Sequence, residues 1–396
     1  SLKLYEKPKY PNLNSIRMKI LAIDDQQLIL MSVKKRLTEI GYEVATANNG
    51  EKGIELFDSF EPDLVLLDIN MPGMSGLNVV QYIRQDRSSK TPIIIMSGNT
   101  DEKVIVDGFE LGIEDYMKKP VSLDEMSARI KRIVGVPENS SNQKTTTDTQ
   151  MLQKHCVGVV IPCYNEEERL SSDEFKKFAY QNLGYHLCFV NDGSTDNTLA
   201  VLKELQKGNE NNISVYNCEK NGGKAEAVRQ GVLHLSKDEQ LDYIGYLDAD
   251  LSTDFRDFDD LVKTLENSEF KIVSGSRISR MGADITKESA RKIISITINM
   301  IIQKILGMPF KDTQCGAKIM DRDIVTNMFQ KKFVTKWLFD VEIFMRMRRY
   351  YGKEEAKRLI CEQPLKRWIH ADGSKLSMKD SVKIVGQLAQ IAYRYR

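Results

Sequence analysis

Short apolar runs rich in Ile, Val and Leu alternate along this chain with stretches whose hydrophobic positions recur at helical spacing. Ahead of residue 136 the runs are MKILAI, YEVATA, DLVLLD, PIIIMS and EDYMKK, and beyond residue 155 they are VGVVIP, HLCFVND, ISVYNC, YIGYLDAD and KIVSGS. Strands separated by helix-length connections pair in parallel, because parallel neighbours need crossovers. The pattern therefore predicts two doubly wound α/β domains. Between them Val136–Gln153 (VPENSSNQKTTTDTQMLQ) is polar and aperiodic, as expected of a linker. The expected layout is an extended tail over 1–16, a domain over 17–135, a linker over 136–155, a second domain over 156–370 and a basic amphipathic tail over 371–396. The halves share no repeat.

Composition narrows the class. A chain of 396 residues suggests two or three domains at roughly 150 residues each. With 41% hydrophobic and 29% charged residues and a net charge of +1, it is neither a disordered chain nor a general polyanion binder. The longest charge-free apolar stretch, Ile293–Gln303, falls short of the ~20 residues that span a bilayer. No basic segment followed by an apolar run opens the chain, so no secretory leader is expected. The six cysteines form no C-x-x-C pair and have no His at zinc-finger spacing, which predicts reduced thiols and a cytoplasmic location.

In the first domain, acidic residues fall where strands should end. Asp24 and Asp25 follow MKILAI, Asp68 follows DLVLL, Ser97 ends PIIIMS, and Lys119 precedes Pro120. The carboxyl ends of parallel strands line the ligand crevice, and three carboxylates converging there call for a hard divalent cation such as Mg²⁺. Asp68 is then placed to attack a phosphoryl group. The runs DINMPGMSGL, MSG and KKP make this half resemble the receiver domain of response regulators, over about Arg17–Gly135. The resemblance implies a flavodoxin-like fold, phosphorylation on Asp68 and a metal held by Asp24, Asp25, Asp68 and the Asn70 carbonyl. It also implies Ser97, Tyr116 and Lys119 as switch residues, and a sensor histidine kinase or small phosphodonor as partner. Tyr116 serves equally well as packing.

In the second domain Pro162, Tyr164 and Glu166 follow the first strand, and Asp192 tips the second. NGGKAEAVRQG puts two glycines ahead of Lys224 at a helix start, where amides and an ammonium favour a diphosphate. Asp248 and Asp250 form a strand-end D-x-D suited to a divalent ion on a nucleoside diphosphate. Arg277 follows VSGS as a permanent cation. The ordered set PCYNE, NDGS, GGK and DAD resembles the family-two inverting glycosyltransferases of GT-A fold, over about Cys156–Ile369. DTQCGAKIM, WLFDVE and PLKRWIHADGSKL are most similar to the polyprenyl-phosphate hexosyltransferases, above all those making dolichyl-phosphate glucose.

By that resemblance Pro162, Tyr164, Glu166 and Asp192 hold base and ribose, and Asp248 and Asp250 serve the ribose, diphosphate and Mg²⁺ or Mn²⁺. Lys224 and Arg277 contact phosphates. Ser252 stands where some mannosyl members carry Gln, which favours UDP-glucose over GDP-mannose as donor. A polyprenyl-phosphate acceptor is already ionised and needs no general base, only cations, for which Arg277, Arg291 and Arg367 are available. An alcohol acceptor would need a base, with Asp340 and Glu342 as the nominees. Arg291–Met308 forms either an interfacial or a core helix, and the basic C-terminal segment suits anionic lipid, so peripheral attachment to the inner membrane face is expected. Oligomerisation stays open. Nucleic-acid binding is not expected, because no helix-turn-helix length remains. Two rival readings are a transferase acting on a polysaccharide or other alcohol, and an inactive module that senses nucleotide sugar.

Overall fold

The computed structural model describes residues 18–99, 101–137, 149–277, 289–367 and 378–395, with the side chains of 289–296 and 378–381 outside that description. The tail over 1–16 lies outside the described residues. The chain divides into two compact units, one comprising 1–154 with Gln181–Leu183 and the other 155–180 with 184–396.

The first unit begins with β1 (Lys19–Ile23), α1 (Gln27–Ile40), β2 (Glu43–Ala47), α2 (Gly50–Phe60) and β3 (Leu64–Leu67). It continues through α3 (Gly76–Gln81), β4 (Ile93–Ser97), α4 (Glu102–Glu110), β5 (Asp115–Lys118), β6 (Val121–Ser122) and α5 (Leu123–Val134). Its sheet is parallel in the order β2-β1-β3-β4-β5. Strands β3 and β4 are buried at every position, as a sheet covered on both faces requires. Alternation along β1 sends Ile20 and Ala22 into one apolar cluster and Leu21 and Ile23 into the other. Asn49, Ser75, Asp101 and Ser122 cap helices by accepting backbone N–H bonds.

Strand β7 runs from Met151 to Cys163, so residues expected to close the linker are already extended. Within the first unit Val121 pairs with Leu152 and Ser122 with Met151, and Leu152 is fully buried in the cluster beneath α1 and α5. The apolar residue at 152 makes this possible; the polar composition around it concealed the strand.

The second unit continues with α6 (Ser172–Gln181), β8 (Asn182–Asn191), α7 (Thr198–Gln206), β9 (Ile213–Asn217), α8 (Lys224–Leu235) and β10 (Tyr243–Leu247). Then come α9 (Phe255–Glu266), β11 (Ile272–Ser276), α10 (Ser289–Leu306), β12 (Ala317–Asp321) and α11 (Arg322–Phe329). The last elements are α12 (Phe339–Tyr351), α13 (Lys353–Leu359), β13 (Ile360–Pro364) and α14 (Met378–Arg394). The strand order is β13-β11-β12-β10-β7-β8-β9. β12, which the hydrophobic pattern had not marked, inserts antiparallel between β10 and β11. Its register sets Lys318 opposite Tyr246 and Ala317 opposite Leu247.

Helix α10 packs against α12 and α14. Ile302 and Leu306 are buried while Met300 is 63% exposed, so the later half of α10 is a packed helix with one open side. The C-terminal segment is likewise not a loose tail: Leu388 and Ile391 of α14 are buried. No helix among the described residues is long and apolar enough to cross a membrane. All six cysteines are free, as expected.

Leu152→Ala should destabilise the first unit by about 2–4 kcal/mol through the cavity left beneath α1 and α5. Urea denaturation followed by near-UV dichroism reads this, and an unchanged midpoint would contradict the placement of Leu152.

Candidate functional site

In an open α/β sheet the crevice forms where strand order reverses, beyond the carboxyl ends of the strands. In the first unit that point lies between β1 and β3. Asp24 and Asp25 follow β1, Asp68 follows β3, and carboxylate oxygens of all three lie within 4.8 Å of one another. Among the described residues this is the group of three or more His, Cys, Asp and Glu side chains able to share an ion. Lys119 is buried beside them, its Nζ 2.6 Å from Asp24 Oδ2 and 3.0 Å from Asp68 Oδ2. Burial opposes the Lys119 charge, but Asp24 and Asp68 outweigh it and hold the ammonium above the ordinary lysine range. Burial raises Asp24, with Lys119 opposing it and Asp68 adding to it. Burial, together with repulsion from Asp24 and Asp68, pushes Asp25 up to about 6. One ammonium among three carboxylates leaves excess negative charge, which suits a divalent cation.

Asn70 donates its backbone N–H to Asp68 Oδ1 at 3.0 Å. Ser97 is buried at the end of β4, and Tyr116 donates its hydroxyl to the Asn99 carbonyl at 2.5 Å. Gly76 is obligatory here, since a Cβ would overlap the Asp68 carbonyl.

In the second unit the order reverses between β7 and β10. Pro162 is the penultimate residue of β7, Tyr164 and Glu166 follow that strand, and Asp248 and Asp250 follow β10. Tyr164 is exposed. Glu166 accepts from Arg169 at 3.0 Å through Oε1, while its Oε2 is buried with no partner among the described residues. Burial raises the Glu166 pKa, and Asp250 adds to the rise.

The glycine-rich turn does not hold its amides open for a diphosphate. Gly222 and Gly223 donate their N–H groups to Asp192 at 2.8 and 2.9 Å, so Asp192 braces the start of α8. The sequence expectation overlooked the Asp192 carboxylate, which takes both amides. Gly193, with φ of 61°, turns the chain where a Cβ would overlap the Asn221 backbone.

Lys224 places Nζ 2.5 Å from Asp248 Oδ1. Burial works against its charge, and Asp248 and Asp340 together raise it. Asp250 is exposed and accepts the Ser252 N–H at 2.9 Å. Gly316, at the head of β12, accepts from the Asp248 N–H at 3.1 Å, and a Cβ on it would overlap the Asp248 carboxylate.

Four other nominees already have partners within the fold. Asp340 is 4% exposed, ion-paired to Lys318 at 2.7 Å and bonded by the Tyr246 hydroxyl. Glu342 is fully buried and accepts from the Val334 N–H, the Thr335 N–H and hydroxyl, and the Tyr395 hydroxyl. Neither carboxylate is open to an incoming hydroxyl. Arg277 is held by Asp312 at 2.8 and 3.0 Å, and Arg367 by Asp257 at 2.8 Å, so each cation already has a carboxylate. Arg291 belongs to α10, and its side chain lies outside the described residues. Lys318, missed from sequence, is buried and donates to the Thr313 and Cys315 carbonyls at 3.0 and 2.7 Å.

Residues 158–329 match the family model for glycosyl transferase family 2, and residues 20–131 match the response regulator receiver domain. The chain is 30% identical over 254 residues to a dolichyl-phosphate beta-glucosyltransferase of Dictyostelium discoideum, covering 60% of this chain and 74% of that protein.

The chain belongs to glycosyl transferase family 2.

Its first unit is a response regulator receiver domain. A dolichyl-phosphate beta-glucosyltransferase of Trichomonas vaginalis is 30% identical to the chain over 253 residues, 61% of this chain and 74% of that protein. The receiver side is similar to the probable transcriptional regulator ycf27 of Cyanophora paradoxa, 39% identical over 137 residues, 35% of this chain and 56% of that protein. The doubly wound reading of both halves stands, with β12 as an antiparallel insertion in the transferase.

Asp25→Asn should stabilise the metal-free receiver above pH 6 by about 1 kcal/mol, allowing for solvent screening. The sign follows from the folded pKa of about 6, above its ordinary 3.8: ionising Asp25 costs folding stability as pH rises through that window. Thermal unfolding in EDTA at pH 4 and pH 7.5 reads it, and a variant no more stable at pH 7.5 would refute it. Gly316→Ala should displace the Asp248 carboxylate and cut transferase turnover at least a hundredfold, measured by donor consumption; an unaffected rate would show the close approach to be dispensable.

Proposed function

We propose that the chain is a phosphorylation-regulated inverting transferase that moves a hexose, glucose before mannose, from a nucleotide sugar to a polyprenyl phosphate. The observation that carries this reading is the Asp248–Ala249–Asp250 turn, with Lys224 beside it, at the crevice between β7 and β10. Likeness to the dolichyl-phosphate beta-glucosyltransferases supports the choice of sugar and acceptor.

The residues fit a divalent cation: the exposed Asp250 carboxylate and the unpartnered Glu166 Oε2 supply negative charge at the turn. Asp250 and Glu166 would hold a Mg²⁺ or Mn²⁺ there, and its charge would supply neutralisation of the leaving diphosphate. Lys224 adds a second positive charge beside Asp248. The acceptor's phosphate oxygen attacks the anomeric carbon. The bond to the nucleoside diphosphate breaks and the electron pair leaves with it, which inverts the centre. No proton has to be removed, because a phosphate monoester with its second pKa near ~6 is largely ionised at neutral pH. The burial of Asp340 and Glu342 in internal bonds favours this acceptor over an alcohol, whose attack would need one of them as base.

In the receiver, Asp24, Asp25, Asp68 and the Asn70 carbonyl would hold Mg²⁺, whose charge would screen the incoming phosphoryl group. Asp68 attacks the phosphorus of a histidine kinase or small phosphodonor, and the donor's leaving group departs. Lys119 and Ser97 are placed to meet the new phosphoryl oxygens. The regulation proposed requires the two receiver states to make different contacts. β6, next to Lys119, is bonded to Met151–Leu152, directly ahead of the transferase's first strand residues, which supports such coupling. The reading also places the chain peripherally at the inner membrane face, where the lipid acceptor lies.

Incubation with UDP-glucose or GDP-mannose, a polyprenyl phosphate and Mg²⁺ or Mn²⁺, followed by mass analysis of the lipid, should yield a hexosyl lipid. Asp250→Ala should lower its formation at least a hundredfold with the fold intact. Acetyl phosphate should change the rate of the parent and leave Asp68→Asn unaffected. A hexosylated alcohol acceptor in place of the lipid would overturn the acceptor assignment.

A further inference from the structure

The segment joining α11 to α12 is held rigidly yet exposes a large aromatic side chain. Arg346 of α12 donates to the carbonyls of Met328, Lys331 and Lys332 and lies over the Phe333 ring, 4.2 Å from its centroid. Phe333 packs edge-on against Phe329 and at a tilt against Phe339. Glu342 takes the Val334 and Thr335 amides, and Thr335 and Leu338 are buried. Between those two anchors Lys336 and Trp337 turn outward, and Trp337 is 71% exposed. Exposing an indole forfeits the burial that usually stabilises it, so a fixed loop that does this points to a use for the ring.

The position of Lys336 indicates what that use is. Its aliphatic stem lies beside Gly223, 3.5–3.7 Å from where a Cβ would stand, and its charge opposes the rise that burial imposes on the neighbouring Asp192 carboxyl. Among the described residues its ammonium has no carboxylate at ion-pair distance. Three residues beyond Trp337, Asp340 lies close enough to Lys224 to raise that lysine's pKa. The loop thus stands beside the start of α8 and the Asp248 turn, and it offers one unpaired cation followed by one open ring.

We propose that Lys336 and Trp337 form a donor-recognition tip, with Lys336 meeting the diphosphate and Trp337 stacking on the carbon-bearing face of the hexose. The inference rests on the nucleotide-sugar reading above. Pyranose rings present C–H groups on one face, and an aromatic face accepts them, while a compact ammonium suits a phosphate.

The chain has two tryptophans, Trp337 and Trp368, so Trp368→Phe leaves Trp337 as the single emitter. In that full-length background, with Mg²⁺, UDP-glucose should change the emission and saturate at the affinity given by calorimetry, whereas UDP alone should change it less. Trp337→Ala should weaken UDP-glucose binding roughly three- to tenfold and leave UDP within twofold, with Trp337→Phe recovering most of the loss. Lys336→Ala should weaken both ligands. If calorimetry reports UDP-glucose binding while Trp337 emission stays fixed and Trp337→Ala binds normally, the tip is overturned and the transferase reading survives. Emission that responds only to anionic vesicles would overturn it in favour of a lipid contact. If neither UDP-glucose nor GDP-mannose gives heat, the nucleotide-sugar reading fails and the tip fails with it.

Discussion

Both halves of this chain gather carboxylates at the ends of parallel strands, and in both a lysine makes that crowding tolerable. Asp24 and Asp68 share Lys119 in the receiver. In the transferase Asp340 is neutralised by Lys318, and Asp248 by Lys224. A buried charge left unpaired costs several kcal/mol, so removing any of the three lysines would leave a carboxylate without its counter-charge. The compensation is partial by count. Three acidic groups face one ammonium in the receiver, and Asp250 faces solvent in the transferase. What remains is negative potential where each unit would take up a cation, while the neutralised fraction fixes the geometry.

The lysine on β12 shows how that geometry is transmitted. Lys318 ties the Thr313 and Cys315 carbonyls, which positions Gly316 against the Asp248 carboxylate with no space for a side chain. The same loop supplies Asp312, which grips Arg277. Asp340, nominated from sequence as a base, completes the far side of this arrangement together with Tyr246. A carboxylate nominated as a base therefore serves to hold Lys318, and through it the backbone on either side of Gly316.

Much of this was legible in the sequence, and the rest was not, for physical reasons. Runs such as LVLL and IIIMS announce themselves because a strand covered on both faces must be apolar throughout. Strand-end acidic residues fall out of the same reading, since topology alone puts Asp24, Asp68 and Asp248 at the crevices. β12 escaped because AKIMD carries a buried lysine at its second position, a charge made acceptable by Asp340, 22 residues along the chain, and by two nearby carbonyls. β13, with the polar run ICEQP, escaped likewise. Asp192 was placed correctly, but its bonds to Gly222 and Gly223 depend on side-chain direction that no motif encodes. The arginines Arg277 and Arg367 carry no local sign of the carboxylates that hold them.

The hydroxyl that Tyr395 gives to Glu342 has a consequence for how the transferase comes into being. Translation runs from the amino end, so the parallel strands and the acidic turn emerge before α14, and the clasp on residues 334 and 335 waits for that helix. A nascent chain stalled ahead of α14 would own the strands of the sheet with a slack rim at those two residues.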